Sequence, residues 1–315
     1  MSNGIVNVQT AQILDYVSSA LSLAILLTRL ALETWRKRKF DLNFYLASAS
    51  VVAVVGRLVV THYYLSFGAA DPPGVAQDVD SKTYIAGRIL VLVARVLFSL
   101  ILWLQIGIIL SFYTGLVHDV TVMTWVIRAI WGLVVVTFVA VVLVTFLECR
   151  PFSLYWSTDE PQPQCQKAYA QLLMQTSCNI FLDVVVLIIA FPLTRLSKHT
   201  WSMRLRVCAL IGLGLLCIAI SATRAAQTIE APHQDVRAIW ASIQIFVAVF
   251  VGNAPSIYGS VKLLRREKST LNDRRYGAGT SSSDASSHPP LVGLQSIRAD
   301  NAEPDADSNP SSTSS

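Results

Sequence analysis

The stretch "CNIFLDVVVLIIAFPL" (residues 178–193) decides the fold. It is almost all hydrocarbon, yet Asp183 sits in its middle. Crossing a hydrocarbon layer of roughly 30 Å takes about 20 apolar residues as a helix. An ionised carboxylate at that depth must turn to protein or water, because lipid gives it neither a hydrogen bond nor a counter-charge.

Working outward, seven stretches of the 315-residue chain are long and apolar enough to cross: about 12–34, 43–66, 85–115, 124–146, 170–194, 207–226 and 238–260. Composition agrees, with 53% hydrophobic residues, 14% charged and a mean hydropathy of +0.51; soluble domains carry about 25% charged residues. The expected fold is an all-α, polytopic bundle of seven transmembrane helices in a multi-pass membrane protein. Residues 1–11 are a short non-cytosolic N-terminus and 12–268 the membrane domain. The N-terminus has no basic run ahead of the first apolar stretch, so no cleavable signal peptide is expected and helix one inserts as its own anchor.

Basic residues orient the bundle. Arg36, Lys37, Arg38 and Lys39 follow helix one; Arg195, Lys198, Arg204 and Arg206 lie between helices five and six; Lys262, Arg265, Arg266 and Lys268 follow helix seven. Residues 67–84 hold only Lys82 against three aspartates. The N-terminus is thus expected outside and the C-terminus in the cytosol. Residues 269–315, rich in Ser, Pro, Asp and Asn, read as a disordered cytosolic tail, solvated or open to a cytosolic partner. The net charge of +5 does not point to nucleic acid, because the basic residues sit in short clusters beside apolar runs. Five cysteines and five histidines show no metal-ligand spacing, so no metal is expected.

The segment "FLECRPFSLYWSTDEPQPQCQ" (146–166) falls outside, between helices four and five. Cys149 and Cys165 are the cysteines on that side, and an oxidising compartment favours a disulfide across so short a loop. Such a bridge, worth about 3 kcal/mol in the chain-entropy picture, makes the loop either a lid over a ligand site or a staple between helix ends. Tyr155 and Trp156 suit the interfacial belt.

These stretches, with "DLNFYL" (41–46), "LWLQ" (102–105), "FY" (112–113), "ECRPFSLYW" (148–156), "NIFLD" (179–183), "SATRA" (221–225), "VRAIWASIQ" (236–244) and "GNAPSIYG" (252–259) in order, resemble the fungal rhodopsin-domain family over roughly residues 12–265. The resemblance implies a fungal source and a seven-helix membrane protein, in a family with receptor-like and toxin-cluster-associated members. It does not fix an activity. The chain departs from the family at Leu42, which stands where a second aspartate is usual, and at Ile106, Thr114 and Gly115, which stand where basic residues are usual. Gln244 takes the place of an acidic residue in helix seven.

Membrane-depth charges gather in one half of the bundle. Asn179 and Asp183 share a face of helix five, and Arg88 and Arg95 a face of helix three. Arg57, Arg224, Trp240 and Gln244 fall at similar depth. The expected arrangement is one inward cluster with Asp183 paired to Arg95. It serves either as structural glue or as a pocket in the outer half whose surplus arginines hold the anionic or oxygen-rich end of a small amphiphile, such as a terpenoid or polyketide. The alternative is a membrane-bound cyclase or isomerase with Asp183 as general acid, assisted by Glu148; Asp15 and Glu33, near span ends, are poorer candidates. Residues 238–261 contain no lysine to hold retinal as a Schiff base, so light-driven chemistry is excluded and no cofactor is expected. Asn253, beside Pro255, is placed to take a carbonyl freed by the proline.

Overall fold

A computed structural model of the chain describes residues 8–35, 41–66, 81–116, 121–156, 168–196, 201–230 and 234–280. Among them are seven helices, one 3-10 turn (Phe152–Trp156) and no strand. The helices are α1 (Val8–Trp35), α2 (Leu42–Ser66), α3 (Ser81–Leu116), α4 (Thr121–Leu147), α5 (Tyr169–Leu196), α6 (Trp201–Glu230) and α7 (Gln234–Thr280). Six of them, all but α6, are long and apolar enough to cross a membrane among the described residues. The seven helices follow the order of the seven expected spans.

Helix α7 departs from expectation, because it continues past residue 268 to Thr280. The segment "EKSTLNDRR" (267–275) has good helix formers, and the serine-rich composition that reads as a tail begins only beyond it. Residues 281–315 lie outside the described ones. Packing divides the chain into Met1–Leu264 and Arg265–Ser315, and the bundle belongs to the first.

Lipid as solvent turns amphipathicity inside out. The buried stripe of α1 contains Asp15, Ser18, Ser19, Ser22 and Arg29, while Ile13, Val17, Leu21 and Leu27 face outward. Small serines let neighbouring backbones approach, and Ser18 and Ser22 return their hydroxyls to the carbonyls of Leu14 and Ser18. Helix α3 is the axis: Ile101, Leu102, Trp103, Ile106, Ile108 and Leu110 are all buried, and α2, α4 and α5 pack around it.

Two polar networks tie the helices. In the first, Arg57 of α2 meets Asp15 of α1 at 2.8 Å, and Ser242 of α7 donates to the same carboxylate oxygen at 2.5 Å. In the second, Arg29 donates to Asn253 Oδ1 at 2.7 Å and Asn43 Oδ1 at 3.0 Å, and pairs with Glu33 at 3.0 Å. Asn253 passes the connection to Gln105 Oε1 at 3.0 Å, and Gln105 to Ser50 at 3.2 Å. Asn253 also takes the Val249 carbonyl at 2.7 Å, two residues from the Val251 carbonyl that Pro255 leaves without its helical donor. Gly252 permits this approach, since a Cβ there would stand 2.9 Å from Gln105 Oε1.

A buried ion pair that loses one member leaves the other without its counter-charge. Asp15→Ala is therefore expected to cost about 3–5 kcal/mol, read as a lowered unfolding temperature in detergent. Asp15→Ala with Arg57→Met should recover most of that loss. A double variant no more stable than the single would exclude the pair as the tie.

Candidate functional site

Two hollows lie on one side of α3, stacked about one turn apart. The handover is visible on four helices: Phe98 gives way to Leu102 on α3, Gln175 to Asn179 on α5, Arg224 to Ser221 on α6, and Ala241 to Gln244 on α7.

The first hollow lies toward the N-terminal ends of α3, α5 and α7. Four arginines line it, Arg57, Arg95, Arg224 and Arg237, together with Thr61, Tyr64, Gln171 and Gln175; no carboxylate is among the lining residues. The Arg224 guanidinium sits 4.1 Å over the centre of the Phe98 ring, a stacked arrangement that suits this planar cation. Gln175 Nε2 and Arg224 Nε, buried polar atoms of residues lining it, have no hydrogen-bond partner among the described residues. Gln175 spends its oxygen on Gln171 Nε2 at 2.9 Å, which leaves its amide nitrogen over.

The second hollow is walled mainly by aliphatic side chains, with Asp183, Asn179, Ser221, Gln244, Gln105, Tyr113 and Cys217 as its polar or sulfur-bearing members. Asp183 Oδ2 accepts from Asn179 Nδ2 at 3.2 Å. A neutral layer separates the hollows. Arg224 donates to Gln244 Oε1 at 3.2 Å, Gln244 Nε2 donates to Ser221 Oγ at 2.9 Å, and Asn179 Nδ2 donates to the same oxygen at 3.1 Å. Asp183 and Arg224 are thus joined through three uncharged side chains.

The expected Asp183–Arg95 pair is corrected. Arg95 shares its hollow with Gln171 and Gln175, whereas Asp183 shares its own with Gln105, Ile109 and Tyr113. Along α5 the two levels are 8–12 residues apart, roughly 12–18 Å at the helical rise. The reason is the length of α3: 36 residues, against 28 in α5, so equal counts from the two helix starts do not give equal depth. Within the expected cluster Arg57 is paired with a carboxylate, that of Asp15. The single expected cluster is therefore two: Arg57, Arg95 and Arg224 in the first hollow, Asn179, Asp183 and Gln244 in the second. Arg88 and Trp240 line neither.

Glu148 is likewise placed elsewhere. Its oxygens accept from the backbone N–H groups of Ala170 at 2.8 Å and Gln171 at 3.3 Å, capping the first turn of α5, where donors have no helical partner. Asp183 lies 12–13 residues further along, roughly 18 Å away by helical rise, so the two carboxylates do not form a catalytic pair. The cap also meets a local strain: Ala168, just before α5, holds φ at 53°, a left-handed conformation costing roughly 1–2 kcal/mol in a residue with a Cβ.

The described part of the loop folds back on α3. Leu92, Cys149 and Tyr155 form one buried cluster, and the Tyr155 hydroxyl donates to the Thr145 carbonyl. Burial, then the Glu148 carboxylate, pushes the Tyr155 phenol above its ordinary value, so it remains a donor at neutral pH. Among the described residues the free thiols are Cys178 and Cys217; Cys149 is not one of them, and its expected partner Cys165 lies outside those residues.

Residues that the sequence reading missed include Thr61, Gln105, Gln171, Gln175, Ser221 and Arg237. Two of them were readable, since Gln171 and Gln175 continue, at every fourth residue along one side of α5, the series of Asn179 and Asp183. Ser221 carries no such signal, because a serine in an apolar helix bonds its own backbone as readily.

A family model described as "Fungal rhodopsin domain" matches residues 28–262. The chain is also similar to a protein of Gibberella zeae named "Fugralins biosynthesis cluster protein 2", at 26% identity over 180 residues. That match covers 53% of this chain and 44% of the relative, so the chain spans less than half of that relative's length. No solved structure matches.

Removing the cap should loosen α5 without touching either hollow's own side chains. Glu148→Ala is expected to cost about 1 kcal/mol, seen as faster amide exchange at Ala170 and Gln171. Unchanged exchange there would exclude the cap.

Proposed function

The chain belongs to the fungal rhodopsin domain family, and from that membership we propose that it serves fungal specialised metabolism by holding a small amphiphile in the first hollow. It is a multi-pass membrane protein. The proposed ligand presents an anionic or oxygen-rich end to the arginines and lays its apolar body against Val91, Ala94, Leu172 and Ala241. The observation that carries this reading is the excess of donors in that hollow. Its walls hold four guanidinium groups, of which that of Arg57 is paired with Asp15, and Gln175 Nε2 and Arg224 Nε there lack partners among the described residues. Like charges around a low-dielectric space repel one another, and a buried donor without an acceptor costs about 1–3 kcal/mol. An anion bearing several oxygens offsets both terms. The name of the Gibberella zeae relative supports the metabolic setting.

A Cys149–Cys165 bridge belongs to the same proposal, holding residues 148–156 against α3 beside the Arg95 level. So do the orientation, with the first hollow toward the non-cytosolic side, and a cytosolic partner for the chain beyond α7. The cyclase reading has less support, because Glu148 caps a helix instead of facing Asp183. It is tested by expressing the protein with candidate terpenoid intermediates: a cyclised product that disappears in Asp183→Asn would replace the binding role.

The binding role is tested in nanodiscs of zwitterionic lipid, with empty discs subtracted. Decanesulfonate should bind more tightly than decanol, and Arg224→Gln should weaken the sulfonate by about tenfold or more while leaving decanol unchanged. Equal affinity of the wild type for both compounds would remove the proposal.

A further inference from the structure

We propose that the second hollow is a separate binding site for an organic cation, a protonated amine carried on a compact apolar body. The inference does not rest on the anion reading, since it concerns a different hollow with the opposite charge. Its walls are Leu102, Ile106 and Ile109 of α3, Val186 of α5, and Val247 and Val251 of α7. Among the described residues lining it, Asp183 is the only acidic or basic one.

Elsewhere in the bundle, the buried carboxylate of Asp15 has a guanidinium at 2.8 Å. Asp183 has only the neutral amide of Asn179 among the described residues, at 3.2 Å. Asn179, Ser221 and Gln244 are engaged with one another, and they stand between Asp183 and the arginine side. A carboxylate so placed in a medium of low dielectric lacks the counter-charge that membrane-depth ions ordinarily find.

Tyr113 is 3% exposed and lines the same hollow. An alkylammonium offers several N–H donors and a positive charge, and both Asp183 Oδ1 and the Tyr113 oxygen are acceptors suited to them. The aliphatic walls then take the hydrocarbon body, as the apolar lining of small-molecule sites commonly does. An anion is excluded by Asp183, and a neutral ligand leaves the carboxylate without its counter-charge.

The decisive comparison uses two rigid probes of nearly equal shape, 1-adamantylamine and 1-adamantanol, with the full-length protein in zwitterionic nanodiscs at neutral pH. The wild type should prefer the amine by about tenfold or more, the effect expected of a charge-assisted hydrogen bond. Asp183→Asn should abolish that preference while still binding the alcohol, which reports an intact hollow. Asp183→Glu should keep it. Gly214→Ala supplies an independent check of location, because a Cβ there would stand 2.7 Å from Leu187 Cδ2 and drive that side chain toward the hollow. Both probes should then weaken together. Equal binding of amine and alcohol by the wild type would overturn the proposal, pointing to a carboxyl group neutralised by a proton instead. So would a preference that survives in Asp183→Asn, or probe binding that Gly214→Ala leaves unchanged. Should the Asn variant fail to fold, the wild-type comparison and Gly214→Ala decide alone. Decanesulfonate binding, measured alongside, reports the first hollow and is expected to be unaffected by Asp183→Asn.

Discussion

Lipid offers no hydrogen bond, and this constraint organises the whole bundle. Polar side chains at membrane depth turn to protein partners, on their own helix or across a helix boundary. The ion pair between Asp15 and Arg57 is the clearest product of that rule: with Ser242 it pins α1, α2 and α7 at one level. Arg29, Asn253, Gln105 and Ser50 pin α1, α2, α3 and α7 at another. The outward surfaces of α1 and α4 are rich in valine and leucine.

Within that frame, charge is sorted by depth. Guanidinium groups collect around one hollow, and a carboxyl group lines the next. The Gln244–Ser221–Asn179 layer keeps the two signs apart. Neutral amides suit such a boundary because each presents both an oxygen and a nitrogen. Gln244 accepts from the arginine on one side and donates on the other.

The number, order and membrane character of the helices were legible, because length and hydropathy are one-dimensional properties. So was the inward turn of Asp183, Asn179, Arg57, Arg95 and Arg224. Their pairing was not. Pairing depends on relative depth, and depth depends on how far α3 projects beyond α5, which no residue spacing within either helix reveals. Asp15 looked peripheral by its place near a span end, yet the tilt and packing of α1 bring it against Arg57. Glu148 read as a second acid because an exposed-end glutamate and a helix cap have the same sequence; only the positions of the Ala170 and Gln171 amides distinguish them. The stride of four along α5 was the one overlooked pattern that did contain part of the answer.

Helix α7 supplies a member to every one of these assemblies. Ser242 serves the ion pair, Gln244 the neutral layer, and Asn253 the Arg29 network, within twelve residues of one continuous helix. Such an element behaves like a camshaft. A few degrees of rotation about its own axis cannot release one contact and spare the others, so whatever displaces Gln244 loads the far end of the bundle in the same stroke.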